Sequence, residues 1–235
     1  MTSSLGFEGK HFIILSMSNS ITSSTFSHFE VKDREEVFRF HFGEIQFELK
    51  GLKRELGQTL SSTGLTLWRA SEHLSSFCHA HADLFRGKRV LELGAGIGNV
   101  SILIDKLRLA KMVVATDGDD DTVELLDSNV TSVQCNVIVR KLYWGQHADF
   151  KFEFPDLFDV LVAADVIYED DQIIPLFEAV IDLLHSEGSF YLAYARRNIA
   201  IDKVLAVAQD KGLVWSVEDV GDGSEPIYKF TWLTK

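Results

Sequence analysis

Cysteine is scarce in this sequence, whose 235 residues include only Cys78 and Cys135. Two cysteines cannot supply the disulfide framework of a small secreted domain or a cysteine-rich metal site, so we expect free intracellular thiols. His73, His79 and His81 lie close together, but no cysteine or carboxylate accompanies them at a metal-ligand spacing. We therefore expect surface histidines and no bound metal.

Long apolar runs are also missing. No stretch reaches the roughly 18 apolar residues that a transmembrane helix needs, and the run from His11 to Met17 is far too short. That run also lacks the charged segment that opens a signal peptide. We expect no membrane partner and a cytoplasmic protein, with the nucleus as an additional location.

Basic residues are few relative to acidic ones. The sequence has 23 Lys and Arg against 35 Asp and Glu, a formal net charge of −12. This average charge repels a phosphate backbone, which argues against a nucleic-acid partner and favours a basic protein or peptide. The length fits one domain with an N-terminal extension, and a hydrophobic content of 46% is ample for a core. We expect a monomer.

The most informative stretch runs from Val90 to Asn99, where an apolar segment leads into Gly94, Gly96 and Gly98. It predicts a strand, a tight turn at which the backbone can approach a ligand, and a following helix. The G-x-G-x-G spacing differs from the G-x-G-x-x-G of dinucleotide sites. A pyrophosphate ligand, and with it a nicotinamide dehydrogenase, is therefore disfavoured.

Two acids flank this turn. Glu92 lies in the strand, two residues before the first glycine, where a carboxylate suits a cationic amino-acid moiety. Asp117 ends the next apolar segment, about 20 residues past the turn, where an acid commonly binds ribose hydroxyls. A ribose together with a positively charged amine indicates S-adenosylmethionine as the cofactor. Asp119, Asp120 and Asp121 predict the solvated start of a helix.

The rest of the chain predicts an α/β domain. Residues 1–35, rich in Ser and Thr, predict a poorly ordered leader, and alternating residues over about 36–50 predict a β-hairpin, either a structural flap or a lid at the substrate entrance. A helix is predicted around Leu67–Leu74. Cys135–Gly145 predicts a third strand that leads into a Trp-Gly turn, and Phe158–Asp165 predicts a fourth strand. The elements predicted after it are a helix Pro175–Leu184 closed by His185–Gly188, a strand Ser189–Tyr194, a helix Ile199–Asp210 and a terminal antiparallel pair, Leu213–Val217 and Ile227–Leu233.

Five segments, in order, give a resemblance to a known family: the Trp68 segment, Leu91–Gly96, Asp117, Leu142–Trp144 and Asp165–Tyr168. Through them, roughly residues 36–235 resemble the seven-β-strand S-adenosylmethionine-dependent methyltransferases. The D-x-x-Y motif is similar to that of the protein-lysine methyltransferases of methyltransferase family 16. The resemblance implies a Rossmann-like, doubly wound seven-stranded sheet of order 3-2-1-4-5-7-6, with the last strand antiparallel, in a methyltransferase domain over residues 36–235.

The resemblance also implies roles for single residues. Trp68 would line the cofactor site, Trp144 would close over the adenine end, and Ala164 would contact the cofactor beside them. Asp165 would hold the acceptor amine near the methyl group, and Tyr168 would orient that amine. The alternatives are a core position for Trp68, a core or surface position for Trp144 and a helix-cap role for Asp165.

The predicted function is methyl transfer from S-adenosylmethionine to a lysine side chain of a protein. Relatives with similar motifs modify histidine or arginine, so these acceptors stay open, as do RNA and small amines. A catalytically silent module that keeps the fold is a further alternative. The intact glycines and the two flanking acids argue against it.

Overall fold

The computed structural model describes residues 34–54, 62–195, 199–218 and 226–233. The predicted leader lies outside this part of the chain except for its last two positions. Within the described ranges, no helix combines the length and the apolar character needed to cross a membrane.

The described strands and helices alternate after an initial hairpin. The strands are β1 (Glu35–Phe42), β2 (Ile45–Leu52), β3 (Arg89–Leu93), β4 (Met112–Asp117), β5 (Ile138–Lys141), β6 (Phe158–Ala164), β7 (Leu184–Ala193), β8 (Leu213–Glu218) and β9 (Ile227–Trp232). The helices are α1 (Arg69–Ala80), α2 (Asn99–Lys106), α3 (Asp120–Ser132), α4 (Ala148–Glu153), α5 (Ile173–Leu183) and α6 (Ile201–Asp210).

Seven strands form one sheet of order β5-β4-β3-β6-β7-β9-β8. The first five strands of this order pair in parallel, whereas β9 pairs antiparallel with both β7 and β8. Numbered by their order along the chain, these strands follow 3-2-1-4-5-7-6, so the predicted sheet order and its antiparallel last strand are confirmed. The switch in strand order falls between β3 and β6, the place where open α/β sheets bind ligands.

Each face of the sheet packs against a separate hydrophobic core. Val90 of β3 belongs to one core, whereas its neighbours Leu91 and Leu93 belong to the other. This division follows from the strand itself, because successive side chains point to opposite faces. A strand that is covered on both faces is expected to be apolar, as β6 is from Val160 to Ala164.

The hairpin β1–β2 packs on the first core. Phe38, Phe40, Phe47 and Leu49 are buried there, which confirms the alternating pattern and favours the structural flap over the lid. The buried side chain of Asn129 in α3 accepts a hydrogen bond from the Lys50 N–H and donates to the carbonyls of Lys50 and Ile97. One amide group thus joins the hairpin, α3 and the glycine turn.

Two predicted boundaries are wrong. His185–Gly188 was expected to close a helix, but β7 begins at Leu184, directly after α5. Its pairing with β6 runs from Phe158–Leu184 to Ala164–Ala193, with a register irregularity between Phe158 and Val160. The third strand of the sheet is also shorter than the segment Cys135–Gly145 suggested, because only four residues, Ile138–Lys141, pair with β4.

Candidate functional site

A cavity of about 630 Å³ opens at the carboxyl ends of β3, β4 and β6. Eight of the ten residues predicted from the sequence for the site line this cavity: Trp68, Gly94, Gly96, Asp117, Trp144, Ala164, Asp165 and Tyr168. Glu92 and Gly98 do not line it. The cavity is therefore where the predicted cofactor-binding and acceptor-binding residues meet.

The glycine turn forms the floor of the cavity. Gly94 and Gly96 have φ angles of 68° and 54°, in the left-handed region that L side chains rarely adopt. A Cβ atom on Gly94 would lie 2.6 Å from Cγ1 of Val166, and one on Gly96 would lie 3.1 Å from the carbonyl oxygen of Gly64. Glycine is therefore required at both positions by conformation and by space.

Gly98 has a different task. Its φ angle is 91°, it caps the start of α2, and a Cβ atom there would lie 2.4 Å from Cδ1 of Leu126. It therefore serves close packing between the turn and α3 rather than the cavity. Its predicted place in the cofactor site is not supported by the geometry.

Asp117 ends β4 beside the glycine turn. One carboxylate oxygen accepts the Gly96 N–H at 3.1 Å, and the other accepts the Asp119 N–H at 3.2 Å. Burial raises the pKa of Asp117, while these backbone donors and the Gly118 N–H act in the opposite direction. A carboxylate has about four acceptor positions, so with these three backbone donors it can still accept a hydrogen bond from a ligand in the cavity.

Glu92 does not line the cavity, so this geometry lends no support to its predicted contact with a cofactor. It is only 2% exposed, and its Oε2 atom accepts hydrogen bonds from the N–H, at 2.9 Å, and the hydroxyl of Ser101 in α2. Burial raises its pKa from 4.5 to about 8, partly offset by the two bonds from Ser101. Glu92 therefore holds the first turn of α2 against β3.

Two aromatic walls flank the floor. Trp68 caps the start of α1, and its indole N–H donates to the carbonyl of Thr63 at 2.8 Å. On the other side, Trp144 and the exposed Tyr143 follow β5, and the buried Leu142 N–H donates to the carbonyl of Asp117 at 2.9 Å. Both predicted tryptophans thus line the cavity while each is half-buried.

The far end of the cavity is built on the loop after β6. Asp165 has a φ angle of 59°, and its N–H donates to the carbonyl of Ala193 in β7 at 3.0 Å. Tyr168 is 45% exposed, and its N–H donates to the Gln172 side chain at 2.9 Å. Gln172 and Glu169 cap each other's backbone at the start of a short 3₁₀ turn, which makes this exposed loop well defined.

Several lining residues were not predicted. Ser62, Thr63, Asp119, Tyr143, Glu169 and Gln172 also face the cavity. Asp119, predicted as a solvated helix start, does cap α3 by accepting the Thr122 N–H at 2.9 Å. Against the opposing effect of desolvation, hydrogen bonds from Ser62 and Thr122 lower its pKa. The only sequence signal for these residues was proximity to the glycine turn or to the tryptophans.

The charged side chains that line the cavity are all acidic. Five carboxylates line the cavity: Asp117, Asp119, Asp165, Glu169 and Asp171. Among the described residues that line it, none is Lys, Arg or His. Such a cavity attracts cations and repels phosphate. No group of three or more metal-ligating side chains that could hold a metal occurs in the described ranges.

Comparison with solved structures identifies the class of fold. The T. thermophilus 16S rRNA N2 G1207 methyltransferase, solved in complex with AdoMet and guanosine, superposes with a TM-score of 0.59 at 16% identity, over 85% of this chain and 50% of that chain. The ribosomal protein L11 methylase of Lactobacillus delbrueckii subsp. bulgaricus superposes with a TM-score of 0.56 at 16% identity, over 71% and 80%. The fold is that of the Rossmann-like methyltransferases.

The family follows from sequence comparison. A family model described as lysine methyltransferase matches residues 51–210, and the chain belongs to this family. It is 31% identical to the protein N-lysine methyltransferase METTL21A of Mus musculus, over 66% of this chain and 68% of that protein. It is 30% identical to the calmodulin-lysine N-methyltransferase of Arabidopsis thaliana, over 66% and 53%. The chain thus spans about half the length of several curated relatives that it matches.

Proposed function

We propose that this chain is an S-adenosylmethionine-dependent protein-lysine N-methyltransferase. The observation that carries the proposal is the continuity of one acidic cavity. Its floor holds the glycine turn and Asp117, and its far end holds Asp165 and Tyr168. A cofactor and an acceptor side chain can therefore meet within one continuous cavity.

The residues of the floor fit the cofactor. The carboxylate of Asp117 retains acceptor capacity for a ribose hydroxyl, and Gly94 and Gly96 leave room for close approach of a ligand to the backbone. Trp144 offers a flat apolar surface for the adenine base. The carboxylates and the lack of basic side chains suit a ligand of net positive charge and oppose a pyrophosphate.

S-adenosylmethionine, when bound, supplies an electrophilic methyl group on a positively charged sulfur. The contribution of the chain is alignment and removal of water, because an unprotonated amine needs little further activation. The carboxylate of Asp165 attracts the acceptor lysine and raises the pKa of its ammonium group, so it assists binding rather than deprotonation. Tyr168 can orient the amine through its hydroxyl or its ring. The proton then leaves to water.

The substrate we propose is a protein with a lysine on a basic surface. The named relatives act on protein lysines, one of them on calmodulin. The five carboxylates around the cavity favour a cationic segment, and the net charge of −12 disfavours RNA.

The test is a transfer assay with radiolabelled S-adenosylmethionine and a cell extract from the source organism. We expect label in a protein, recovered after hydrolysis as methyl-lysine. Methyl-histidine or methyl-arginine would overturn the acceptor, and label in RNA or small molecules would overturn the substrate class. A chain that binds no S-adenosylmethionine by calorimetry would overturn the proposal as a whole.

Two matched variants separate the ends of the cavity. We expect Asp117→Asn to weaken S-adenosylmethionine binding about 10- to 100-fold, because a charged hydrogen-bond acceptor is lost. Asp165→Asn should bind the cofactor within about twofold of the wild type but lose about 100-fold in turnover, because the acceptor is misplaced. Asparagine is the appropriate replacement, because it tolerates the left-handed backbone at Asp165. Full turnover in Asp165→Asn would exclude the assigned role.

A further inference from the structure

The segment that carries Trp144 has a second anchor outside the cavity. The Nε2 atom of His147, three residues further along, lies 2.9 Å from Oδ2 of Asp182 in α5. The His147 side chain is only 11% exposed, although Asp182 is half-exposed. This contact joins residues 35 positions apart in the sequence.

We propose that His147 is a positioning residue that fixes the Trp144 wall of the cavity through its hydrogen bond to Asp182. The inference rests on the proposed function, in that the wall is taken to contact the cofactor. We call this contact the His147–Asp182 latch. It acts through Trp144 and not on a reacting atom.

The path between Trp144 and the latch is short. Gly145 has a φ angle of 82°, and the Gln146 N–H donates back to the carbonyl of Tyr143 at 2.9 Å, which closes a tight turn. His147 then accepts the first hydrogen bond of α4, from the Lys151 N–H at 2.9 Å. A turn of this kind transmits the position of His147 to Trp144, because only two residues separate them.

Helix α5 contributes to the same cavity at its other end. Pro175, in its first turn, lines the cavity, and its Cβ atom lies 3.8 Å from the place where a Cβ on Gly145 would be. The 3₁₀ turn that presents Glu169 leads directly into this helix. The latch therefore connects the Trp144 wall to the element that follows the acceptor end of the cavity.

The charges around the latch indicate which partner matters. Lys151 also faces Asp182, but its Nζ atom is 3.7 Å from Oδ1, a looser contact. The pKa of Asp182 is lowered, mainly by the hydrogen bond from His147. Desolvation acts in the opposite direction, and the charge of Lys151 lowers the pKa further. The Nδ1 atom of His147 is buried and has no hydrogen-bond partner within the described chain. A neutral imidazole that donates from Nε2 leaves only an acceptor unpaired there, so the latch does not require a charged histidine.

The experiment compares five proteins: the wild type, His147→Leu, His147→Gln, Asp182→Ala and Glu178→Ala. Glutamine can still donate an N–H to Asp182 and serves as the conservative rescue. Glu178 lies four residues before Asp182 on the same helix but pairs with Lys211 at 2.9 Å instead of with the His147 segment, so it provides the matched control. Two quantities are measured: the Kd for S-adenosylmethionine by calorimetry, and hydrogen exchange at the Gln146 amide without cofactor.

We expect His147→Leu and Asp182→Ala to raise the Kd about fivefold, the effect of one lost hydrogen bond, and to speed exchange at Gln146. His147→Gln and Glu178→Ala should match the wild type in both measurements. Unchanged Kd and unchanged exchange in a folded His147→Leu or Asp182→Ala protein would overturn the latch. If the wild type itself binds no S-adenosylmethionine, the proposed function fails, and the exchange comparison still decides the latch.

Discussion

The buried Glu92 gives the most quantitative prediction for this protein. Its pKa is raised from 4.5 to about 8, so between these values the folded protein carries a proton on this group that the unfolded chain has lost. Raising the pH across this window therefore favours the unfolded state, by up to about 1.4 kcal/mol per pH unit. The full shift corresponds to about 5 kcal/mol of stability that is present below pH 4.5 and lost by pH 8.

The perturbation is Glu92→Gln, which keeps the shape and an oxygen that can accept both Ser101 donors but cannot ionise. The assay is urea unfolding of both proteins at pH 6, 7 and 8. The wild type should lose about 2 kcal/mol more than the variant between pH 6 and pH 8, because other titrating groups cancel in the comparison. Cys78 and Asp117, the titrating neighbours of Glu92, are present in both proteins.

The control is Glu153→Gln. Glu153 is exposed, and its pKa is lowered by its hydrogen bond with Arg140, so Glu153 does not titrate near pH 7. That variant should follow the pH dependence of the wild type. If Glu92→Gln also tracks the wild type at all three pH values, Glu92 is ionised in the folded protein, and the reasoning from its burial is wrong.

The other predictions concern the glycine turn and the start of α3. Gly94→Ala should lower the free energy of unfolding by about 1 kcal/mol through left-handed backbone strain, and by about 1–3 kcal/mol more through the 2.6 Å approach of the new Cβ atom to Val166. Gly87 has a similar φ angle but open space around it, so Gly87→Ala should lose only the contribution from strain. Equal urea midpoints for the two variants would contradict this. Asp119→Ala should cost about 1 kcal/mol through loss of the helix cap, whereas the exposed Asp121→Ala should stay within about 0.5 kcal/mol of the wild type; equal losses in thermal melts would exclude the cap.

Local patterns predicted most of the fold. The alternation in the hairpin placed Phe38, Phe40 and Phe47 on one buried face, and the continuous apolar run of β6 predicted a strand covered on both sides. The start of β7 was missed because His185–Gly188 has the polar composition of a turn. Leu184 and Ser189–Ala193 pair with β6, whereas His185–Gly188 have no partner there, so the polar segment is a register irregularity inside the strand.

Site residues were predictable from the sequence where they belong to a motif at the end of a strand. Gly94, Gly96 and Asp117 line the cavity because the ends of neighbouring parallel strands meet there. The surroundings of a side chain inside a strand depend on which element covers that face of the sheet. The hydrogen bonds that Glu92 accepts from Ser101 in α2 could therefore not be predicted from the sequence. The His147–Asp182 contact could also not be predicted from the sequence, because neither residue belongs to a motif.

The hairpin shows that the segment matched by the family model and the segment that packs into one core can have different boundaries. The family match begins at residue 51, after most of the hairpin, yet the hairpin supplies Phe40 and Leu49 to the first core. A fragment that begins at residue 51 would leave the buried Asn129 amide with only its bond to Ile97. The packed unit is therefore larger than the segment that the family model matches, and the glycine turn depends for its support on residues that this match does not include.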